Sequence, residues 1–349
     1  MDQDMDISII IPVHNAERWL AACLQSVADQ DQDPRLRVEV SVYLDGSTDQ
    51  SAAILEHFSC QLRQKGYTVV VSSGSPAHGV GYAKNRAVAQ SSGRFLCFLD
   101  ADDVMRPCRL RCQHEEAAKF PDAIVGGRFV RDPADSTERY TRWANQLSPR
   151  QLTQQVVTSH GPTVIMPTWF CSRAVFDRVD GFDESGRGTP EDLIFFYRHL
   201  DLGGTVRRVP DEVLVYRYHP DAATFTIHED TIWALRLERL CRHWLVDWTA
   251  GFTIWNAGKQ GRKLYRSLPD ELRDRVLAFC DVDERKLRQG VYIYENSELR
   301  PKPRVPIVHF SKAQKPFVIC VKMDLTGGQF EKNLASLGLE EAKDYVMFS

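Results

Sequence analysis

An α/β fold built on a mostly parallel sheet is predicted by three features of the sequence. A continuous run of β-branched and apolar residues, ISIIIPV, stands near the front at 7–13. Apolar runs and helical periodicities then alternate through the first hundred residues. Turn-forming or acidic residues stand where most of those runs stop. Alternation of this kind is how a parallel sheet with helices on both faces is written in sequence. Ligands of such sheets collect outside the carboxyl ends of the strands.

The elements follow in order. Residues 7–13 read as a buried strand, and Trp19, Leu20, Cys23, Leu24 and Val27 recur at the i, i+3, i+4 spacing of one helix face. A second strand is expected over 38–44, a helix over 48–62, a third strand over 67–71, a third helix over 80–90 and a fourth strand over 94–99. A second pattern begins near Ala250, with strands over 252–255, 276–280, 317–321 and 345–348 and helices over 259–267 and 329–337. Its middle, 289–316, is punctuated by prolines. The stretch 231–248, with Ile232, Leu235, Leu240, Trp244, Leu245 and Trp248, reads as an amphipathic joining helix. The expected organisation is therefore a front domain over 1–230, a linking helix over 231–250 and a smaller Rossmann-like domain over 251–349.

Composition excludes several classes. With 349 residues, 43% hydrophobic and 26% charged, the chain has material for a real core and is neither a disordered tail nor a disulfide miniprotein. The nine cysteines form no CxxC pair and no dense framework, as expected of reduced thiols. The start, MDQDMDISIIIPV, lacks the basic region of a secretory signal, and no apolar stretch approaches the roughly 18 residues that span a bilayer. A cytoplasmic setting without membrane contact is the expectation. The net charge of −3 hides an asymmetry: residues 236–315 carry 17 Lys or Arg against 10 Asp or Glu, so the front is acidic. A basic rear suits a polyanion or is simply a solvated face.

Chemistry-bearing residues gather at the predicted strand ends. Pro12-Val13-His14-Asn15 closes the first strand in a proline turn. Leu44-Asp45-Gly46-Ser47-Thr48-Asp49 closes the second, where Ser47 or Thr48 would equally cap the next helix. Gly81-Tyr82-Ala83-Lys84-Asn85-Arg86 opens the third helix with two cations and an amide. Asp100, Asp102 and Asp103 follow the fourth strand directly, and carboxylates so close repel unless a cation sits among them. Oxygen ligands of that kind suit Mg²⁺ or Mn²⁺ shared with substrate phosphates. Glu191-Asp192, after Gly181-Phe182-Asp183-Glu184, either favours a helix N-terminus or places a general base beside the metal. In Tyr216-Arg217-Tyr218-His219-Pro220, His219 reads as a further metal ligand or as a polar loop residue.

Together, PVHN at 12–15, DGSTD at 45–49, Asp100-Ala101-Asp102 as a DxD motif, GFDE at 181–184 and Glu191-Asp192 resemble the family 2 glycosyltransferases of GT-A fold, over residues 5–230. The resemblance implies an inverting, metal-dependent transfer of a sugar from a UDP-sugar. Asp45 would hold the uracil edge, with Pro12, Val13, His14, Asn15 and Lys84 lining the same donor pocket. Asp100 would face the ribose or donor sugar, with Ala101 beside it. Asp102 would ligate the Mn²⁺ or Mg²⁺ ion, with His219 as its partner. Asp192 would be the catalytic base and Glu191 its neighbour near the acceptor. Trp169 is the candidate acceptor platform, or else a core residue. Leu44 and Lys84 depart from the family, which has an acidic residue and an arginine there.

Four further stretches, GVGYAKNRAVAQSSG, STERYTRW, GPTVIMPTWFCSR and FTIWNAGKQGRKLYRSL, resemble the tRNA-modifying members of that family. That likeness implies UDP-galactose as donor and queuosine at the wobble position of tRNA-Tyr as acceptor. The alternatives are a UDP-N-acetylglucosamine-dependent transferase acting on a glycan, and a non-catalytic nucleotide- or RNA-binding module. In the rear domain, Asn256-Ala257-Gly258-Lys259-Gln260-Gly261 approximates GxGxxG, and Asp281 stands where a ribose-binding acid would. Glycosyl transfer has no hydride step, so a scaffold rather than an NAD site is expected. Lys259, Arg262 and Lys263 would then contact the backbone of the acceptor tRNA.

Overall fold

All seven residues of β1 (Ile7–Val13) are buried, because the strand lies in the middle of its sheet with helices covering it. The structure is a computed structural model that describes residues 5–31, 33–220 and 222–349. The chain forms two compact units, one of residues 1–153 and 162–231, the other of 154–161 and 232–349.

The first unit holds β1, β2 (Val38–Asp45), β3 (Thr68–Gly74), β4 (Phe95–Phe98), β5 (Val104–Met105), β6 (Ala123–Asp132), β7 (Phe170–Ser172) and β8 (Thr205–Arg217). They form one sheet in the order β3-β2-β1-β4-β7-β6-β8-β5. The first four are parallel. β7 then runs antiparallel to both β4 and β6, and β6 pairs in parallel with β8. The expected α/β class with a mostly parallel front half is the one observed. Helices Leu20–Ala28, Ser51–Gln64 and Val80–Ala89 connect the parallel strands. Leu20, Cys23, Leu24 and Val27, four of the five residues named for the first helix face, are fully buried in the core cluster.

The second unit has β9 (Phe252–Trp255), β10 (Val276–Asp281), β11 (Val291–Ile293), β12 (Arg304–His309), β13 (Phe317–Ile319) and β14 (Tyr345–Met347). Their order is β11-β12-β10-β9-β13-β14, parallel except for the β11 edge. The five parallel strands follow the order of the first five strands, 3-2-1-4-5, of a doubly wound nucleotide-binding fold. β12 lies inside the proline-punctuated segment, where period-2 burial of Val305 and Ile307 was masked by Pro306.

The front domain expected over 1–230 needs one correction. Residues 154–161 pack with the second unit: Gln155 Nε2 donates to Glu341 Oε1 at 2.9 Å and Ser159 N–H to the Ser349 carbonyl at 3.2 Å. The backbone of this excursion finds its partners nearly 190 residues away in sequence, which no local pattern records. The joining helix, Glu229–Leu240 followed by a π-helical turn over Cys241–Leu245, likewise belongs to the second unit from Ile232 onward. Arg236 Nε there donates to the Val157 carbonyl at 3.0 Å. Among the described residues no helix is long and apolar enough to cross a membrane.

Trp169 is core, not an acceptor platform. It is fully buried, its Nε1–H donates to the Val164 carbonyl at 2.9 Å, and Phe182, Phe195 and Phe196 surround the ring at 5.5–6.4 Å. Trp169→Ala is expected to cost about 3–5 kcal/mol of stability, read from the midpoint of chemical denaturation.

Candidate active site

Parallel pairing sets Pro12 beside Tyr43 and Val13 beside Leu44, so the turns that leave β1 and β2 meet. His14 Nδ1 donates to the Asp45 carbonyl at 2.6 Å, and Asn15, at φ 46°, accepts the Thr48 N–H at 2.8 Å. Gly46 makes its turn at φ 61°, and a Cβ there would come within 2.6 Å of the Ala77 nitrogen. Asp45 itself is turned inward: it is 2% exposed, and its carboxylate takes the N–H groups of His78 at 3.0 Å and Gly79 at 2.8 Å. That corrects the assignment of Asp45 to a uracil edge, since its lone pairs hold the 78–79 turn. Pro12 and Val13 are buried as well; of this motif only His14 and Asn15 reach the surface.

Beyond β4, Asp100, Asp102 and Asp103 converge, with one carboxylate oxygen of each within 4.8 Å of the others. Ala101 between them is buried in the core cluster, a spacer rather than a donor contact. The end of β8 closes the cluster. Arg217 donates its N–H to Asp103 Oδ1 at 2.9 Å and its Nη1 to the Asp102 carbonyl at 2.8 Å, while His219 Nε2 lies 2.8 Å from Asp102 Oδ2. Burial pushes the Asp100 carboxyl up to about 6 against the pull of Lys84, and pushes Asp103 well above the carboxylate range, with Asp102 adding repulsion. Asp100 Oδ1 and Asp103 Oδ2 are buried oxygens that find no hydrogen-bond donor among the described residues. Crowded, unsatisfied carboxylate oxygens are the donor set a hard divalent cation takes, so these residues fit the ion that the DxD motif implies.

The third group is assembled by a close helix approach. A Cβ at Gly81 would collide with the Asp183 carbonyl, so glycine lets helix Val80–Ala89 lie against the segment leading to helix Glu191–Asp201. Lys84 thereby meets Glu191 at 2.9 Å and Asp100 at 3.9 Å. Burial opposes the Lys84 charge, but Glu191 and Asp100 outweigh it and hold the ammonium above its ordinary range. Two expectations change. Lys84 is 2% exposed, so it braces the acids instead of lining a donor pocket, and Glu191, 7% exposed, is its partner rather than an acceptor contact. Asp192 is left partly exposed with Oδ1 accepting the Leu193 N–H at 2.7 Å. Burial, with Glu191 repulsion second, pushes its carboxyl up to about 7.

A model of glycosyl transferase family 2 matches residues 8–180. Residues 8–180 are a family 2 glycosyltransferase domain. The chain is 36% identical over 118 residues to the poly(ribitol-phosphate) beta-N-acetylglucosaminyltransferase TarS of Staphylococcus aureus, covering 34% of this chain and 19% of that one. It thus spans about a fifth of the length of that relative. The crystal structure of S. aureus TarS 1–349 in complex with UDP-GlcNAc superposes with a TM-score of 0.52 at 18% identity, over 86% of this chain and 99% of that one. The mannosyltransferase PcManGT from Pyrobaculum calidifontis, in complex with GDP-Man and Mn²⁺, superposes with a TM-score of 0.51 at 16% identity, over 69% and 65%. These likenesses show a GT-A fold.

In the first unit the structure unites Asp100, Asp102, His219, Lys84, Glu191 and Asp192 in one cluster and gives Asp103, Arg217 and Trp19 places in it. Asp103 and Arg217 bind each other, and Trp19 lies 5.2 Å from the His219 ring with the Arg217 guanidinium 5.0 Å over it. Asp103 was legible as the fourth residue of the acidic turn; Trp19 was read as part of a helix face. In the second unit, Lys259 is exposed, whereas the Arg262 guanidinium lies 5.0 Å over Tyr292 and Lys263 Nζ 4.3 Å over Trp233. These two cations are therefore partly spent on aromatic faces. Asp281 takes the Ala257 N–H and Lys286 Nζ, each at 2.8 Å, and the Asn256 side chain caps Gly258 at 2.6 Å. The N–H groups of Ala257 and Gly258 and the Asp281 carboxylate are thus already engaged within the unit.

Proposed function

We propose that this chain is an inverting glycosyltransferase that moves a sugar from a UDP-sugar to an acceptor hydroxyl, with Asp192 as the base. One observation carries the reading: Asp192, poised near neutrality, is linked through Glu191 and Lys84 to Asp100 of the acidic turn. As the acceptor oxygen bonds to the anomeric carbon from one face, its proton passes to Asp192. The bond to the diphosphate breaks on the other face, and UDP leaves with the electron pair. Asp100, Asp102 and Asp103, with His219 beside them, would hold a divalent ion, which supplies positive charge for the leaving diphosphate. Lys84 keeps the carboxylates ionised and in place. The kcat/KM of such an enzyme is expected to fall on the acid side with an apparent pKa near 7, because protonated Asp192 cannot take the acceptor proton. A pH–rate series on wild type checks this.

The donor and acceptor we infer are UDP-galactose and queuosine of tRNA-Tyr. Support comes from the four stretches quoted above and from the excess of cations over acids in residues 236–315. A second reading is a UDP-N-acetylglucosamine-dependent transferase acting on a glycan; the likeness to TarS, a poly(ribitol-phosphate) beta-N-acetylglucosaminyltransferase, favours its donor. The test is mass spectrometry of nucleosides from queuosine-containing tRNA-Tyr incubated with the protein, Mn²⁺ or Mg²⁺, and each of UDP-galactose, UDP-glucose and UDP-N-acetylglucosamine. A hexose added from UDP-galactose alone is the expected result. UDP release without tRNA modification would send the acceptor back to glycans. Exposed Lys259 and Arg266 make the polyanion contact separable: charge reversal of both should weaken tRNA binding and flatten its salt dependence by about 1.5–2 in log–log slope.

A further inference from the structure

The acids of the centre are answered unequally. Lys84 pairs with Glu191 and Asp100, and Arg217 lies 3.5 Å from Asp132. Arg131, opposite Tyr216 in the β6–β8 register, is different: among the described residues no carboxylate lies within ion-pair distance of it. Its guanidinium carbon sits 3.8 Å over the Tyr216 ring and 5.6–5.8 Å from the rings of Tyr140, Phe129 and Tyr218. Nε donates to Thr137 Oγ1 at 3.0 Å, and Nη1 reaches only the Arg217 carbonyl, at 3.5 Å. A guanidinium has five N–H donors, so most of this fork is unspent.

Its position makes that surplus informative. Arg131 Nη1 reaches the carbonyl of Arg217, whose own N–H donates to Asp103 Oδ1 and whose Nη1 donates to the Asp102 carbonyl. The cation therefore lies beside Arg217, the residue that closes the acidic turn. Aromatic rings on several sides hold the guanidinium in place, so less side-chain freedom is lost when an anion arrives. A planar fork of this kind matches two oxygens of a phosphate.

We propose that Arg131 binds a phosphate oxyanion at the reaction centre. The inference rests on the glycosyl-transfer reading above. The oxyanion has two sources of the same chemistry, a phosphodiester of the acceptor beside the nucleoside that receives the sugar, or the diphosphate of the donor.

The experiment uses the full chain as wild type, Arg131→Gln and Arg131→Lys, each first checked by thermal melting. Three quantities are read: UDP affinity by calorimetry in the presence of Mg²⁺, KM and kcat for queuosine-bearing tRNA, and transfer to the free queuosine nucleoside, which has no phosphodiester. The expected result is a KM for tRNA raised about tenfold or more by Arg131→Gln and partly restored by Arg131→Lys, with UDP affinity and nucleoside transfer within about twofold. A loss of UDP affinity of about tenfold instead supports the oxyanion site and assigns it to the donor diphosphate. Unchanged binding and kinetics, or a lowered melting temperature alone, would make Arg131 a structural cation and overturn the proposal. A wild-type chain that modifies neither tRNA nor nucleoside defeats the acceptor reading separately, and UDP affinity then decides Arg131: a tenfold loss supports the site and no change overturns it.

Discussion

Asp192→Asn is expected to slow sugar transfer by about 10²–10⁴-fold while leaving UDP affinity within about twofold. The substitution is nearly isosteric, and an Asn oxygen can still accept the Leu193 N–H that orients the side chain, so the site keeps its shape. What disappears is the group that receives the acceptor proton. The loss should fall on kcat rather than on donor binding, because Asp192 has no place in holding the nucleotide. Single-turnover transfer beside calorimetry with UDP separates the two. Normal turnover in this variant would remove Asp192 from the mechanism and return the choice of base to the other carboxylates of the cluster.

Lys84→Met should be the most damaging single change for folding and activity together. The methylene stem is retained, but Glu191 and Asp100 lose the cation that faces them in a site where Lys84 is 2% exposed. Removing one partner of a buried pair costs about 3–5 kcal/mol, because the remaining charge is left without compensation. Denaturant midpoints should show it. Lys84 also pulls down the titration of Asp100 and Asp192, so its loss raises both. The acid limb of any residual activity should therefore move to higher pH, a shift that simple destabilisation would not produce. Double replacement of Lys84 by Met and Glu191 by Gln should recover part of the stability without recovering the rate, which would show that the pair braces the base rather than performing the proton transfer itself.

Much of the fold was legible, for a physical reason that differs between elements. β1 is a central strand, so both of its faces must be apolar, and ISIIIPV records that directly. Helix Lys259–Ser267 and strand Phe252–Trp255 were bounded by the glycines and the change of period between them. β12 was hidden by its proline, which sits near a sheet margin, where β12 is bordered by the short antiparallel β11. Trp169 shows the opposite failure: a tryptophan looks the same in sequence whether its ring faces a sugar or three phenylalanines.

The sequence by itself determined the class of fold, the strand ends at which chemistry would gather, and the run of acids after β4, because period, turn residues and charge crowding are local properties. Only the tertiary structure decided which of those residues are available. Lys84 and Glu191 are 107 positions apart, and Asp102 and His219 are 117 apart, yet each pair is within 3 Å. Asp45 spends its charge on two backbone N–H groups more than thirty residues away, and Arg131 keeps its own unspent beside Tyr216. Whether a charged side chain is a brace, a base or an open hand depends on what burial removes from water and which partner the fold brings to it, and neither is written in the neighbouring residues.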